Sequence, residues 1–302
     1  MNTKILLRTL KITLVISLLL IVVKHGCLLS QDNSEDQAFI WKVETGNNKV
    51  YLLGSIHLLK KENYPLHEKI ENAFSDAEKI VFEANFDSAQ SPKVQQLLFR
   101  KAKYSNGKTL KSTIGDSIFQ LTSQKTGALG INLEQLNGFK PWFVSISIVA
   151  VKLQRLGFEP KFGIDLHFFT KAKAENKQIL GLETFEDQFN LFDSFPDEIQ
   201  IEFLLQTLAE LDTFEKEFNL ILKAWSNGDI LRLEKYLLST FLDYPGLYEK
   251  LLVKRNKKWM ISIKEFLKDE INYLIIVGSA HLTGEDGLIK LLQKKGYNVE
   301  QL

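Results

Sequence analysis

Two nearly identical phrases contain the residue types that are best suited to chemistry. Residues 50–59 read VYLLGSIHLL, and residues 274–283 read LIIVGSAHLT. Each is an apolar, β-rich run that ends in Gly-Ser-x-His and precedes a helical pattern, as buried parallel strands do. Because sites in open α/β sheets form beyond the carboxyl ends of strands, we expect His57 and His281 to lie at one edge of the sheet.

Two more apolar runs end in a carboxylate at the same expected edge. IVFE ends in Glu83, and ILGLE ends in Glu183. Two histidines and a carboxylate are a common ligand set for a divalent metal that keeps a position open for water. The pattern predicts a metal or catalytic site with His57, His281 and Glu83 as ligands, Glu83 alternatively acting as general base. A purely structural duplication of two strand ends is the open alternative.

The small residues of each repeat are expected to serve the same site. Gly54 and Gly278 are predicted to free the backbone where each strand ends. Ser55 and Ser279 follow them and are candidates for contact with substrate. No Gly-x-Ser-x-Gly elbow surrounds either serine, so the sequence gives no support to serine-hydrolase chemistry.

Other polar residues are weaker candidates. Arg255, in LLVKRNKKW, could hold a carboxylate or polarise a substrate oxygen, and Asn256 beside it could contact substrate. A solvated turn is the alternative for both residues. Asp165, in GIDLHFF, is expected to cap a helix. His67 and His167 are expected to be helix residues without a ligand.

The composition bounds the class of protein. The chain has 302 residues, 45% hydrophobic and 25% charged, with a formal net charge of +1. This is ordinary for a globular chain, and the absence of a basic block argues against a nucleic-acid partner.

The N-terminus predicts export. Lys4, Arg8 and Lys11 precede ITLVISLLLIVV, twelve residues without a charge. Twelve helical residues span about 18 Å, short of the roughly 30 Å hydrocarbon core, which favours a secretory signal over a spanning helix. There are two alternatives. The segment could remain as an uncleaved membrane anchor, or a lipid could be attached to Cys27, the single cysteine. We therefore expect a periplasmic or secreted protein, with membrane attachment only through its N-terminus.

The rest of the chain is organised as one domain. Residues 1–30 form the predicted signal or anchor, 31–37 a polar linker, and 38–302 an α/β domain. We expect a mainly parallel central sheet built from two related strand–helix halves. A helical region at about 91–268 lies between those halves. It includes a long helix from about Asp197 to Trp225, and Ser226 is the expected N-cap of the helix that follows.

The motifs resemble the TraB/GumN family, which includes the Tiki-type metalloproteases. The resemblance runs through WKVETGNNKVYLLGSIHLLKKENYPL, FGIDLHF, ILGLETFEDQ, RNKKW and VGSAHLTGEDGLIKLLQKKGYNVE, and covers residues 38–302. The two G-x-x-H motifs of that family correspond to Gly54–His57 and Gly278–His281, and its glutamate to Glu83.

The resemblance implies a fold related to erythromycin esterase and ChaN-like proteins, and metal-dependent hydrolysis in at least the Tiki branch. It adds Asp165, Glu183 and Gln188 to the residues expected near substrate. The expected function is an exported, peptidase-like hydrolase that uses a divalent ion such as Mn, Co or Zn on a peptide or small molecule. A non-catalytic periplasmic binding protein is the alternative.

Overall fold

The protein is described by a computed structural model that covers residues 37–89, 91–239, 241 and 245–302. The predicted signal segment 1–30, which contains Cys27, and linker residues 31–36 lie outside the described residues. The described chain divides into two compact units. A helical unit comprises Phe86–Pro160 and Thr184–Thr213, and a sheet unit comprises residues 37–85, Lys161–Glu183 and Phe214–Leu302.

All six strands belong to the sheet unit. They are β1 (Ile40–Glu44), β2 (Lys49–Ser55), β3 (Lys79–Ala84), β4 (Gln178–Glu183), β5 (Tyr273–Gly278) and β6 (Val299–Gln301). Their order in the sheet is β4-β3-β5-β2-β1-β6. The neighbours from β4 to β2 pair in parallel, while β1 pairs antiparallel with β2 and with β6. The mainly parallel α/β sheet expected from the sequence is confirmed, and its four parallel strands are adjacent.

The central strands are buried along their length. Residues 274–277 of β5 and residues 80–82 of β3 have no solvent exposure. Continuous apolar runs of this kind occur where both faces of a parallel sheet are covered. Their carboxyl ends therefore lie side by side, which places polar residues that follow them in one neighbourhood.

Helices of the sheet unit connect or flank these strands. They span Glu68–Asp76, Ile164–Ala174, Phe214–Ser226, Ile230–Leu238, Pro245–Tyr248, Lys254–Phe266 and Leu288–Gln293, and a π-helical segment spans Glu249–Val253. Single 3₁₀ turns occur at Lys61–Asn63, Pro160–Phe162 and Ser279–His281.

The helical unit has its own hydrophobic core. Its helices span Phe86–Ala89, Pro92–Ala102, Leu110–Ala128, Pro141–Arg155, Phe185–Asp193 and Asp197–Glu210, with a 3₁₀ turn at Leu133–Leu136. The helix Pro141–Arg155 is buried on nearly all sides and packs against Asp197–Glu210 through Val144, Ile148 and Leu204. Within the described part of the chain, no helix is both long and apolar enough to cross a membrane.

Two details of the helical prediction are wrong. The single helix expected from Asp197 to Trp225 is two helices, Asp197–Glu210 and Phe214–Ser226. Asp212 and Thr213 lie in the turn between them, and such residues are poor helix formers because their side chains compete for the backbone.

The second error concerns a cap. Ser226, expected to begin the next helix, is the last residue of Phe214–Ser226. Asp229 is the N-cap instead, since its side chain accepts a backbone N–H from the first turn at 2.9 Å. Aspartate and serine cap helices about equally well, so local preference did not separate the two positions.

Candidate functional site

His57 lies just beyond the carboxyl end of β2 and contacts a buried aspartate. Its Nδ1 is 2.6 Å from Asp165 Oδ2, and both side chains are buried. Asp165 belongs to the first turn of Ile164–Ala174, whose N-cap is Gly163. The backbone N–H of Ile164 donates to the carbonyl of Ile56, which holds this helix start against the end of β2. The expected capping role of Asp165 is wrong, because its carboxylate accepts from the histidine.

His281 lies in the turn Ser279–His281, directly after β5. Its Nδ1 is 2.7 Å from Asn256 Oδ1, and the Nδ2 of that amide donates to two backbone carbonyls. Nδ1 therefore carries the proton, and Nε2 accepts from Arg255 Nη1 at 2.9 Å. Burial, followed by the positive charges of Arg255 and of His57 when protonated, holds the pKa of His281 well below 6.5. This imidazole is neutral.

Arg255 is the hub of the site, and all five of its N–H groups are engaged. Nη2 donates to Glu83 Oε2 and Glu183 Oε1, each at 2.6 Å, and Nε donates to Glu183 at 3.2 Å. Nη1 donates to the Leu251 carbonyl and to His281. Although burial lowers the pKa of Arg255, the two carboxylates outweigh it and the pKa is raised. The guanidinium is a permanent buried cation.

The alternative of a solvated turn at Arg255 and Asn256 is wrong. Both residues lie in the helix Lys254–Phe266, and their side chains are buried. Trp259 lies four residues beyond Arg255 in this helix. Its ring is 4.6 Å from the guanidinium carbon of Arg255, and its Nε1–H donates to Glu183 at 3.2 Å. Trp259 was not among the predicted site residues, although its i, i+4 spacing from Arg255 was a usable signal.

The two strand-end carboxylates have different surroundings. Glu83 Oε1 accepts the backbone N–H of Gly278 at 2.8 Å and lies 3.8 Å from His281 Nε2. Glu183 is bound by Arg255 and Trp259. Glu83 therefore lies beside the histidines, while Glu183 fixes the arginine.

Three of the predicted site residues surround the α-carbon of Gly278. A Cβ placed there would lie 3.2 Å from Glu83 Oε1, 3.7 Å from His281 Cδ2 and 3.7 Å from His57 Nε2. We call these three side chains and Gly278 the Gly278 cradle. The structure thus brings together the two repeated motifs and the glutamate.

The glycines have a steric role, unlike the one expected. Neither Gly54 nor Gly278 has positive φ. A Cβ on Gly54 would lie 2.4 Å from the ring of Phe39, so glycine is needed there for packing. The carbonyl of Gly54 accepts the Nε1–H of Trp225 at 2.7 Å, which fixes the end of β2.

The remaining predicted residues separate into three groups. The hydroxyl of Ser279 donates to the Ser55 carbonyl at 3.0 Å, a link between the two repeats. His67 is the N-cap of Glu68–Asp76, and half-buried His167 contacts the ring of Tyr64. Gln188 is buried in the helical unit, in the helix Phe185–Asp193.

The donor types fit a divalent ion, but a cation of the protein already contacts two of them. Metal-bound histidines usually have the second ring nitrogen held by an oxygen, as His57 and His281 do. However, Arg255 already donates to His281 Nε2 and to Glu83 Oε2, two of the three expected ligands. Among the described residues, no three His, Cys, Asp or Glu side chains are placed to hold a metal ion. A buried guanidinium therefore contacts two of the three side chains that were expected to bind the ion.

Comparison with known proteins gives a family and distant relatives. The model of the TraB/PrgY/gumN family matches residues 39–301. The uncharacterized protein YbaP of Escherichia coli (strain K12) is 24% identical over 248 residues, which cover 82% of this chain and 89% of that protein. An uncharacterized protein of Treponema pallidum (strain Nichols) is 21% identical over 293 residues, 90% of this chain and 84% of that protein. No solved structure matches.

Proposed function

Because the chain belongs to the TraB/PrgY/gumN family, we propose that it is a peptidase-like hydrolase that acts in the Gly278 cradle. Hydrolysis in the Tiki-type members of the family supports hydrolysis as the reaction class. The observation that carries the proposal is the buried His57–Asp165 pair, whose Nε2 side faces the position that a Cβ on Gly278 would take. A carboxylate on Nδ1 and a lone pair on Nε2 are the arrangement of a histidine that acts as a base.

The proposed reaction follows from these tautomers. An ionised carboxylate only accepts hydrogen bonds, so Asp165 fixes the proton on His57 Nδ1 and leaves the lone pair on Nε2. In the proposal, Nε2 takes a proton from water as the water oxygen bonds to the substrate carbonyl carbon. The imidazolium then returns that proton to the leaving nitrogen or oxygen as the bond to it breaks. Asp165 stabilises the imidazolium in between.

The other members of the cradle have supporting roles in this proposal. Glu83 is held in place by Arg255 and the Gly278 N–H, so it can orient the attacking water. Arg255 positions Glu83 and His281. Since its five N–H groups are engaged, we assign it no direct contact with substrate, in contrast to the catalytic role expected from the sequence.

The test is turnover of a panel of internally quenched peptides and fluorogenic carboxylic esters. His57→Ala should lower kcat by about 10²–10⁴-fold, the usual contribution of a general base. His67→Asn is the matched control, because asparagine retains the helix cap. Binding of the peptides without turnover would favour the non-catalytic alternative.

A metal-dependent form of the same hydrolase is the second candidate. It is favoured by one observation, the oxygen partner on Nδ1 of each histidine. His57, His281 and Glu83 would then be the ligands of a Zn, Mn or Co ion, which would supply an activated water, and Arg255 would have to move away. Elemental analysis of purified protein, with turnover before and after chelation, separates the two candidates. Chelation should leave turnover within about twofold in the first candidate and abolish it in the second.

We also propose export to the periplasm or beyond. The support is the short uncharged run ITLVISLLLIVV behind Lys4, Arg8 and Lys11. Cell fractionation and N-terminal sequencing of the mature protein test this. A cytoplasmic protein that retains its first thirty residues would contradict it.

A further inference from the structure

The two serines of the repeated motifs have different surroundings, although they follow glycine in the same way. Ser279 Oγ donates to the Ser55 carbonyl at 3.0 Å. Ser55 Oγ has no hydrogen-bond partner among the described residues, although its side chain is only 3% exposed. A buried hydroxyl without a partner is unusual, because leaving it unbonded loses the hydrogen bonds it had with water.

The sheet register places Ser55 on the same face as the cradle. Ser55 at the end of β2 pairs with Gly278 at the end of parallel β5. Paired residues of adjacent strands point to one face, and the strands lie about 4.8 Å apart. The position of a Cβ on Gly278 is within 3.7 Å of His57 Nε2 and of Glu83.

The opposite face supports this assignment. A Cβ on Gly54 would lie 2.9 Å from Ser279 Oγ, so Gly54 and Ser279 share that other face. Alternation along each strand then puts Ser55 and Gly278 together on the cradle face.

We propose that Ser55 is a catalytic residue that donates its O–H to the carbonyl oxygen of a neutral ester or amide substrate. This deepens the proposed function and rests on it. Water addition to a carbonyl puts negative charge on that oxygen, and a donor already in place stabilises it. The neighbouring donors are committed elsewhere, since the Gly278 N–H and Arg255 Nη2 both donate to Glu83. Because the site holds three buried carboxylates, Asp165, Glu83 and Glu183, against one arginine, a neutral substrate group suits it better than an anionic one.

The experiment compares Ser55→Ala, Ser55→Cys and Ser279→Ala with wild type on the peptide and ester panel and in thermal unfolding. Ser55→Ala should lower kcat by about 10²–10³-fold, the effect of removing one such donor, with KM changed little. Its melting temperature should stay equal or rise, since no hydrogen bond is lost, whereas Ser279→Ala should melt lower. The kcat of Ser55→Cys should lie between those of wild type and Ser55→Ala, because a thiol is a weak donor. Exposed Ser75→Ala is the control.

Binding of N-acetyl dipeptide amides, followed by thermal shift, distinguishes this inference from the proposed function. If wild type turns over the panel and Ser55→Ala stays within threefold, the role of Ser55 is overturned and the hydrolase stands. If wild type binds the amides without turnover and Ser55→Ala binds at least tenfold more weakly, the serine contact stands and the hydrolase does not. Neither binding nor turnover by wild type would overturn both. A melting temperature of Ser55→Ala as low as that of Ser279→Ala would mark a structural hydroxyl.

Discussion

Asp165 Oδ2 lies 2.6 Å from His57 Nδ1, across 108 residues of sequence and with both side chains buried. The helix Ile164–Ala174 starts against the residue before His57, so the two side chains are held by backbone contacts as well as by their own hydrogen bond. The pair makes the first G-x-x-H motif different from the second, where the partner of His281 is the neutral amide of Asn256. Only His57 has a carboxylate hydrogen-bonded to its Nδ1.

Asp165→Asn should lower kcat far more than it raises KM. The amide cannot stabilise an imidazolium and can favour the wrong tautomer, and an equivalent change in a Ser-His-Asp triad lowers kcat by about 10⁴-fold. The acid limb of the kcat/KM profile should move to lower pH, because the loss of a nearby carboxylate lowers the pKa of the base. Asp229→Asn is the control, because asparagine also serves as the N-cap of the helix Ile230–Leu238. An unchanged pH profile would show that Asp165 has only a structural role.

Arg255→Lys should destabilise the protein although it keeps the charge. A lysine has three donors on one nitrogen and cannot reach Glu83, Glu183 and His281 together. Breaking a buried charge network costs about 3–5 kcal/mol, which urea unfolding measures. Half-exposed Arg232→Lys should stay within about 0.5 kcal/mol of wild type. A loss below about 1 kcal/mol for Arg255→Lys would contradict its role as the hub.

Gly278→Ala should mainly lower turnover, whereas Gly54→Ala should mainly lower stability. The backbone of Gly278, at φ −51° and ψ 136°, allows alanine, but the new methyl would fill the cradle 3.2 Å from Glu83 Oε1. We expect kcat to fall at least about tenfold while stability changes by less than about 1 kcal/mol. On Gly54 the methyl would lie 2.4 Å from the Phe39 ring, so overpacking should cost about 1–3 kcal/mol. Turnover and urea unfolding of both variants test this, and equal stability losses would refute it.

Acid should destabilise the wild type partly through His281. Its pKa is lowered in the folded state, so below pH 6.5 the unfolded chain binds more protons at this residue. The stability that neutral His281 contributes is complete above pH 6.5 and is lost as the pH falls from there toward the lower pKa of the folded state. His281→Gln should therefore show a shallower fall in unfolding free energy between about pH 6.5 and 5. Urea titrations in chelator at each pH measure how steeply the unfolding free energy changes with pH. A stability loss that is the same at every pH does not alter this slope. Equal slopes for wild type and His281→Gln would contradict the assignment.

The sequence by itself determined the position of the site within the fold. Continuous apolar runs that end in Gly-Ser-x-His or in Glu83 and Glu183 predict parallel strands, and parallel strands in one sheet must end at one edge. The cradle of His57, His281 and Glu83 follows from that rule and from the repeated motif. The helical region was foreseeable from the apolar periodicity, apart from the break at Asp212 and Thr213 and the turn considered at Arg255 and Asn256.

Only the tertiary structure decided which helices complete the site. Arg255 is 172 residues from Glu83 and 72 from Glu183, and Asp165 is 108 residues from His57. In sequence, Asp165 has the features of a helix cap and Arg255 those of an exposed basic turn, because local patterns record propensity and say nothing about docking. Burial makes their hydrogen bonds obligatory, since a charge removed from water must find partners. The packing of Ile164–Ala174 and Lys254–Phe266 against the strand ends therefore set which charges meet, and thereby brought a guanidinium to two of the three side chains that the sequence suggested as metal ligands.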